Sequence, residues 1–156
     1  MFRVLLVEDD SFKAKSIQDL LSSVRSDSQV VVASSLVEGI ERLGDGPYDL
    51  AIVDMAIPSH PTVSGGGAPM SLLSGGLDIL LEIDALGRGD LCVVVTQYPE
   101  IEIAGRFFPV EEASEQIREL LGCDVLECIE YSEGCNRWKQ KLKGLLENYE
   151  DFGFRG

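Results

Sequence analysis

Apolar and polar positions along the chain alternate between two periods. "RVLLV" (residues 3–7) is a short continuous run of Val and Leu behind one Arg, the pattern of a strand covered on both faces. After three acids, "SFKAKSIQDLLSSV" sets Phe12, Ile17, Leu20, Leu21 and Val24 at helical spacing, with Asp10 or Ser11 placed to cap the first turn. The pair of signals then recurs four times. "QVVVA" (29–33) precedes "SLVEGIERLGDG", with Ser34 or Ser35 as cap and Gly44 near its end. "DLAIVD" (49–54) precedes "GLDILLEIDALG", "LCVVVT" (91–96) precedes "VEEASEQIRELLG", and "DVLECIEY" precedes "NRWKQKLKGLLENY". Five strands alternating with five helices predict an α/β domain with a doubly wound parallel sheet, because parallel strands need crossovers and right-handed βαβ units supply them. No repeat or change of composition interrupts the pattern. Residues 1–150 therefore read as one domain and 151–156 as a short tail, with no output domain attached.

Composition narrows the function classes. A chain of 156 residues with 45% apolar and 26% charged side chains can bury a core unaided. Its 27 acidic against 13 basic residues give a formal charge of -14, which disfavours direct binding to nucleic acid or to an anionic membrane surface. Cys92, Cys123, Cys128 and Cys135 follow no metal-binding spacing and His60 is the only histidine, so reduced core or boundary thiols are expected rather than a zinc site. "MFRVLLVEDD" does not read as a signal peptide, and no run approaches the roughly 20 apolar residues that cross a bilayer, so a soluble, cytoplasmic chain is expected.

Ligands of such a sheet gather beyond the carboxyl ends of the strands, where strand order reverses. Three predicted strands end there in polar groups: Glu8, Asp9 and Asp10 after the first, Asp54 after the third, and Thr96 at the end of the fourth. With a strand order of 2-1-3-4-5 the acids converge on one crevice. Converging carboxylates repel, and the usual remedies are a raised pKa or a bound cation; oxygen-only ligands favour Mg²⁺, often alongside a phosphoryl group.

"VLLVEDD", then "YDLAIVDMAIP", then "VVVT" within this (βα)₅ order resembles the receiver domain of bacterial two-component response regulators, the CheY-like, flavodoxin-like fold, over residues 2–148. The resemblance implies that Asp54 accepts a phosphoryl group from a histidine kinase or phosphotransfer protein. It implies Mg²⁺ held by Glu8, Asp9, Asp54 and the backbone carbonyl of Ala56, and a Thr96 hydroxyl donated to a phosphoryl oxygen. Asp10 then reads as a helix cap. It further implies a downstream protein bound through the fourth helix, fifth strand and fifth helix.

Three features depart from the family pattern. The Lys that ends the fifth strand in receivers is missing: the aligned position falls near Ile129, Glu130 or Tyr131, and a glutamate there would add repulsion. The aromatic switch residue of that strand is missing as well. Lys13, four residues after Asp9 in the first helical turn, is a candidate substitute whose long side chain can bend toward the acids; a solvated lysine pairing along its helix is the alternative. The segment between Asp54 and the third helix is about a dozen residues longer than usual. It carries Pro58, Pro61, Pro69 and five glycines over residues 58–76, and it reads as a flap over the site bearing His60. A second long connection, "QYPEIEIAGRFFPV" (97–110), places Ile101, Ile103, Phe107 and Phe108 either against their own domain or toward a partner.

Two other functions compete with a stand-alone phosphorylated switch. A pseudo-receiver would keep the sheet as an interaction module not switched by phosphorylation, as the missing Lys suggests. A phosphohydrolase using Asp54 as nucleophile lacks the second acid of an Asp-x-Asp pair, since Met55 and Ala56 follow, so no enzyme is expected.

Overall fold

The computed structural model describes residues 1–58, 71–72, 75–87 and 90–148. His60, most of the long segment after Asp54 that reads as a flap, and the 151–156 tail lie outside them. Five strands form one parallel sheet: β1 (Phe2–Val7), β2 (Ser28–Ala33), β3 (Leu50–Val53), β6 (Leu91–Thr96) and β9 (Glu127–Glu130), in the order β2-β1-β3-β6-β9. Counting sheet strands alone, this is the expected 2-1-3-4-5 arrangement. The crossovers are α1 (Ser11–Val24), α2 (Leu36–Leu43), α3 (Gly75–Leu86) and α4 (Val110–Leu121), with α5 (Arg137–Asn148) after the last strand.

Period-two alternation divides the core into two layers. In β1, Phe2, Val4 and Leu6 face a layer made with Ala14, Ile17 and Leu21 of α1 and with Trp138, Leu142 and Leu146 of α5. Leu5 and Val7 face the opposite layer, with Leu43 of α2, Ile79 and Ile83 of α3, and Ala113 and Ile117 of α4. Every residue of the central strand β3 is buried, which is why it reads as an unbroken apolar run. Each such fully buried aliphatic side chain contributes about 1.5–3 kcal/mol.

Asp10 caps α1, accepting from the Phe12 and Lys13 N–H groups, and Ser35 caps α2 through the Glu38 N–H. Cys92, Cys123 and Cys128 are buried free thiols and Cys135 is exposed. Burial, with a smaller push from Glu127, drives the Cys128 thiol up to about 12, as expected of a core cysteine and not of a reactive one.

Among the described residues, two antiparallel strand pairs lie beyond the five strands of the sheet. β4 (Ile57–Pro58) pairs with β5 (Ser71–Leu72), joining the two ends of the long segment after Asp54. The 97–110 connection is a hairpin, β7 (Glu100–Ile103) with β8 (Arg106–Pro109). Ile101, Ile103 and Phe108 pack into the core of their own domain, whereas Phe107 is exposed. The hairpin turns on Ala104 and Gly105, both at positive φ (52° and 80°), the two-residue geometry that favours Asn-Gly. Alanine is strained there. Ala104→Asn is expected to stabilise the protein by roughly 0.5–1 kcal/mol, read as a higher urea midpoint at unchanged slope; a lower midpoint would overturn the assignment of strain.

Candidate functional site

The two buried acids of the site sit one residue beyond their strands, still held by the sheet ladder. The Glu8 N–H donates to the Ala33 carbonyl at 2.9 Å and the Asp54 N–H to the Val7 carbonyl at 3.0 Å. Neighbouring parallel strands that end in register thus bring these side chains together at one edge. Asp9, between Glu8 and the capping Asp10, is exposed at the rim. One carboxylate oxygen from each of Glu8, Asp9 and Asp54 lies within 4.8 Å of the others.

The cation among them comes from α1. Lys13 is 1% exposed. Its Nζ lies 2.6 Å from Glu8 Oε1 and 3.3 Å from Asp54 Oδ2, and it donates to the Val95 carbonyl at 2.8 Å and to Gln97 Oε1 at 3.3 Å. Helical side chains lean toward the N-terminus, so a lysine in the first turn reaches back over the strand end just before it. The solvated alternative for Lys13 does not hold.

The remaining carboxylate oxygens are met by backbone. Glu8 Oε2 accepts from the Asp10 N–H at 3.1 Å, and Asp54 Oδ1 from the Ala56 N–H at 3.4 Å. Burial nevertheless pushes the Glu8 carboxyl up to about 8, the Asp54 charge adding to the rise while Lys13 and the Asp10 N–H pull it down. Asp54 is raised as well, by burial first, against the pull of Lys13 and of the Ala56 N–H. One ammonium does not balance two buried carboxylates. With Asp9 at the rim the crevice holds three acids to one Lys, an all-oxygen set that suits a hard divalent ion. The three carboxylates of Glu8, Asp9 and Asp54 lie close enough together to share one such ion.

Thr96 is fully buried at the end of β6, two residues beyond Val94, which pairs with Val53 next to Asp54. Its Oγ1 accepts from the Tyr98 N–H at 3.3 Å and its carbonyl from the Tyr131 N–H at 2.7 Å. Glu130 pairs in register with Thr96 but is exposed, and the shifts of Glu8 and Asp54 draw nothing from it. The repulsion expected from a glutamate at the missing Lys position is therefore not seen. Tyr131 turns inward instead, and Lys13 Nζ lies 5.5 Å from its ring centre. Gln97 and the Val95 carbonyl escaped the sequence reading, and Tyr131 entered it only as one position at which the missing Lys aligns; the signal for Gln97 was its place directly after Thr96.

No family model matches the chain. It is 32% identical over 148 residues to the Detocs response regulatory protein DtcB of Vibrio alginolyticus, an alignment covering 93% of this chain and 99% of that protein. Among solved structures, a CheY-like response regulator receiver domain protein from Methanospirillum hungatei JF-1 superposes with a TM-score of 0.65 at 18% identity, covering 100% of this chain and 99% of that one. The receiver domain of a sensor histidine kinase from Pseudomonas aeruginosa PAO1, solved with magnesium coordinated in its active-site cleft, superposes with a TM-score of 0.59 at 17% identity, covering 97% and 98%. The full-length sequence relationship, joined to the shared sheet, shows that the chain belongs to the response regulator receiver family.

Proposed function

We propose that Asp54 accepts a phosphoryl group from a histidine kinase or phosphotransfer protein, and that Lys13 fills the role of the Lys missing from the fifth sheet strand. The observation that carries this reading is the buried Lys13 ammonium 3.3 Å from Asp54 Oδ2 at the carboxyl edge of the sheet. In the transfer an Asp54 carboxylate oxygen attacks phosphorus and forms an O–P bond. The P–N bond of the donor phosphohistidine breaks, and its electron pair stays on the imidazole, which takes a proton.

Glu8, Asp9, Asp54 and the Ala56 carbonyl would hold Mg²⁺, which when bound offsets charge on the phosphoryl oxygens. Lys13 adds a second positive charge from the protein side, and the Thr96 hydroxyl donates to a phosphoryl oxygen. A phosphoryl group brings nearly two further negative charges and three strong acceptors. Those charges draw on Lys13 and Thr96, and the change is passed to a downstream protein at the face of α4, β9 and α5.

A second reading is favoured by one specific observation. Lys13 is already shared among two carboxylates, a carbonyl and an amide oxygen, so the crevice is largely satisfied without phosphate, as a pseudo-receiver held in one state would be. Incubation with Mg²⁺ and acetyl phosphate, followed by intact mass, separates the two. The expected result is one added phosphoryl group on the wild type and none on Asp54→Asn. A wild type that gains none overturns the acceptor reading in favour of the pseudo-receiver.

A further inference from the structure

The chain contains a single tryptophan, Trp138, and it is buried at the start of α5. Its ring meets that of Tyr131 at 4.9 Å between centres and an interplanar angle of 46°. Tyr131 in turn is tied to the acid crevice twice. Its N–H donates to the Thr96 carbonyl at 2.7 Å, and its ring lies 5.5 Å from the Lys13 ammonium. Among the described residues these contacts form an unbroken chain from Asp54 through Lys13 and Tyr131 to Trp138.

We propose that Tyr131 is a positioning residue whose ring shares the Lys13 ammonium with Asp54, and that it carries the state of Asp54 through Trp138 to α5. The inference rests on Asp54 being the phosphoryl acceptor. An aromatic face attracts an ammonium through its quadrupole, so the ring competes with the carboxylates for one cation. New negative charge on Asp54 shifts that competition. The ammonium is drawn toward the new oxygens, and the ring loses the partner that fixes its tilt against Trp138. Thr96 pulls in the same direction, because its hydroxyl and its carbonyl belong to one residue and the carbonyl holds the Tyr131 N–H.

The consequence reaches the surface. Tyr131 and Trp138 line a groove of about 170 Å³ between α1 and α5, together with Phe12, Ser16, Asn136 and Lys139. Phe12 stands exposed at its rim, one residue before Lys13. A change in the Tyr131–Trp138 pair is therefore a change in the wall of that groove and in the seating of α5. The relay takes over the coupling that receivers assign to the aromatic residue missing from the fifth sheet strand.

The test uses the whole chain with Mg²⁺ and beryllofluoride, which mimics the acyl phosphate. Fluorine NMR reports the adduct at Asp54 and Trp138 emission reports the relay. In the wild type the emission is expected to shift in proportion to adduct formed. Tyr131→Leu is expected to form the adduct with that shift lost, and Tyr131→Phe, which keeps the ring, to restore it. An adduct in the wild type without any emission change overturns the relay and leaves the acceptor reading standing. Absence of an adduct overturns both. If Tyr131→Leu does not fold, amide hydrogen exchange of the wild type with and without the adduct is read in its place; exchange left unchanged over Tyr131 and α5 overturns the relay.

Discussion

Replacing Lys13 by Met is expected to lower the unfolding free energy by about 3–5 kcal/mol near neutral pH, measured by urea denaturation without divalent ions. Methionine fills much the same volume, so the loss reports charge rather than a cavity. The ammonium lies within 3.3 Å of four oxygens, and without it the buried Glu8 and Asp54 carboxyls face one another with no cation between them. Protonation is their one way out, which fixes the direction of the pH dependence. A carboxyl whose folded pKa lies above its unfolded value binds more protons in the folded state, so stability falls as pH rises between the two values. Glu8 already stands at about 8 with Lys13 present, and the variant lacks the ammonium that pulls it down. The deficit is therefore smallest in acid, grows as pH rises above the ordinary carboxylate range, and is greatest at mildly alkaline pH. Phosphorylation of Asp54 should fall with it, and Lys13→Arg should not rescue either property, because a planar guanidinium does not fit a pocket shaped around one compact ammonium. A stability loss below about 1 kcal/mol, the scale of an exposed ion pair, would show that the cation is dispensable.

Gly76→Ala should be nearly as damaging, for a reason of space. The start of α3 presses against the acceptor segment, with the Gly76 N–H donating to the Met55 carbonyl at 2.9 Å. A β-carbon at residue 76 would run into the Asp54 carbonyl oxygen and lie 2.8 Å from Met55 Cα. Both are backbone atoms, so no rotamer change makes room. Either α3 or the acceptor must move. Overpacking of this kind costs about 1–3 kcal/mol, and here it also displaces the reacting carboxylate. Gly39 shows the contrast: its added β-carbon would meet Ile79 Cδ1 at 2.7 Å, the end of a side chain that can rotate, and a helical alanine recovers up to about 1 kcal/mol. The expected result for Gly76→Ala is a lowered urea midpoint together with slower phosphoryl gain by intact mass. Wild-type behaviour in both assays would show that α3 yields freely.

The sheet was legible because its central strands read as apolar runs: β3 is apolar throughout, β6 up to Thr96, and β1 apart from Arg3, with its two faces in different core layers. Helix ends were legible through Asp10, Ser35 and Gly44, whose chemistry acts within one turn. The acids of the site were legible for a related reason: a polar residue directly after a buried strand has only the sheet edge to occupy. Lys13 was harder, because a lysine in a first helical turn has two destinations and spacing alone does not choose between them. Tyr131 was harder still, since its role depends on β9 and α5 packing around a cation contributed by α1. The β7–β8 hairpin was overlooked where it could have been seen. Ile101 and Ile103 alternate with Glu100 and Glu102, and a Gly follows within two residues, but the Ala before that Gly is a poor turn residue and weakened the signal.

That hairpin separates length from geometry. Its base is closed where Glu100 pairs with Pro109 and where the Val110 N–H donates to the Pro99 carbonyl at 3.0 Å, so β6 enters and α4 leaves from fixed points. Residues added at the Ala104–Gly105 tip cost only the entropy of a wider loop, about 0.6 kcal/mol for each doubling. The tip is thus the position at which relatives of this chain can differ in length, and at which a tag or reporter peptide can be grafted, while Asp54, Lys13 and Thr96 keep their places.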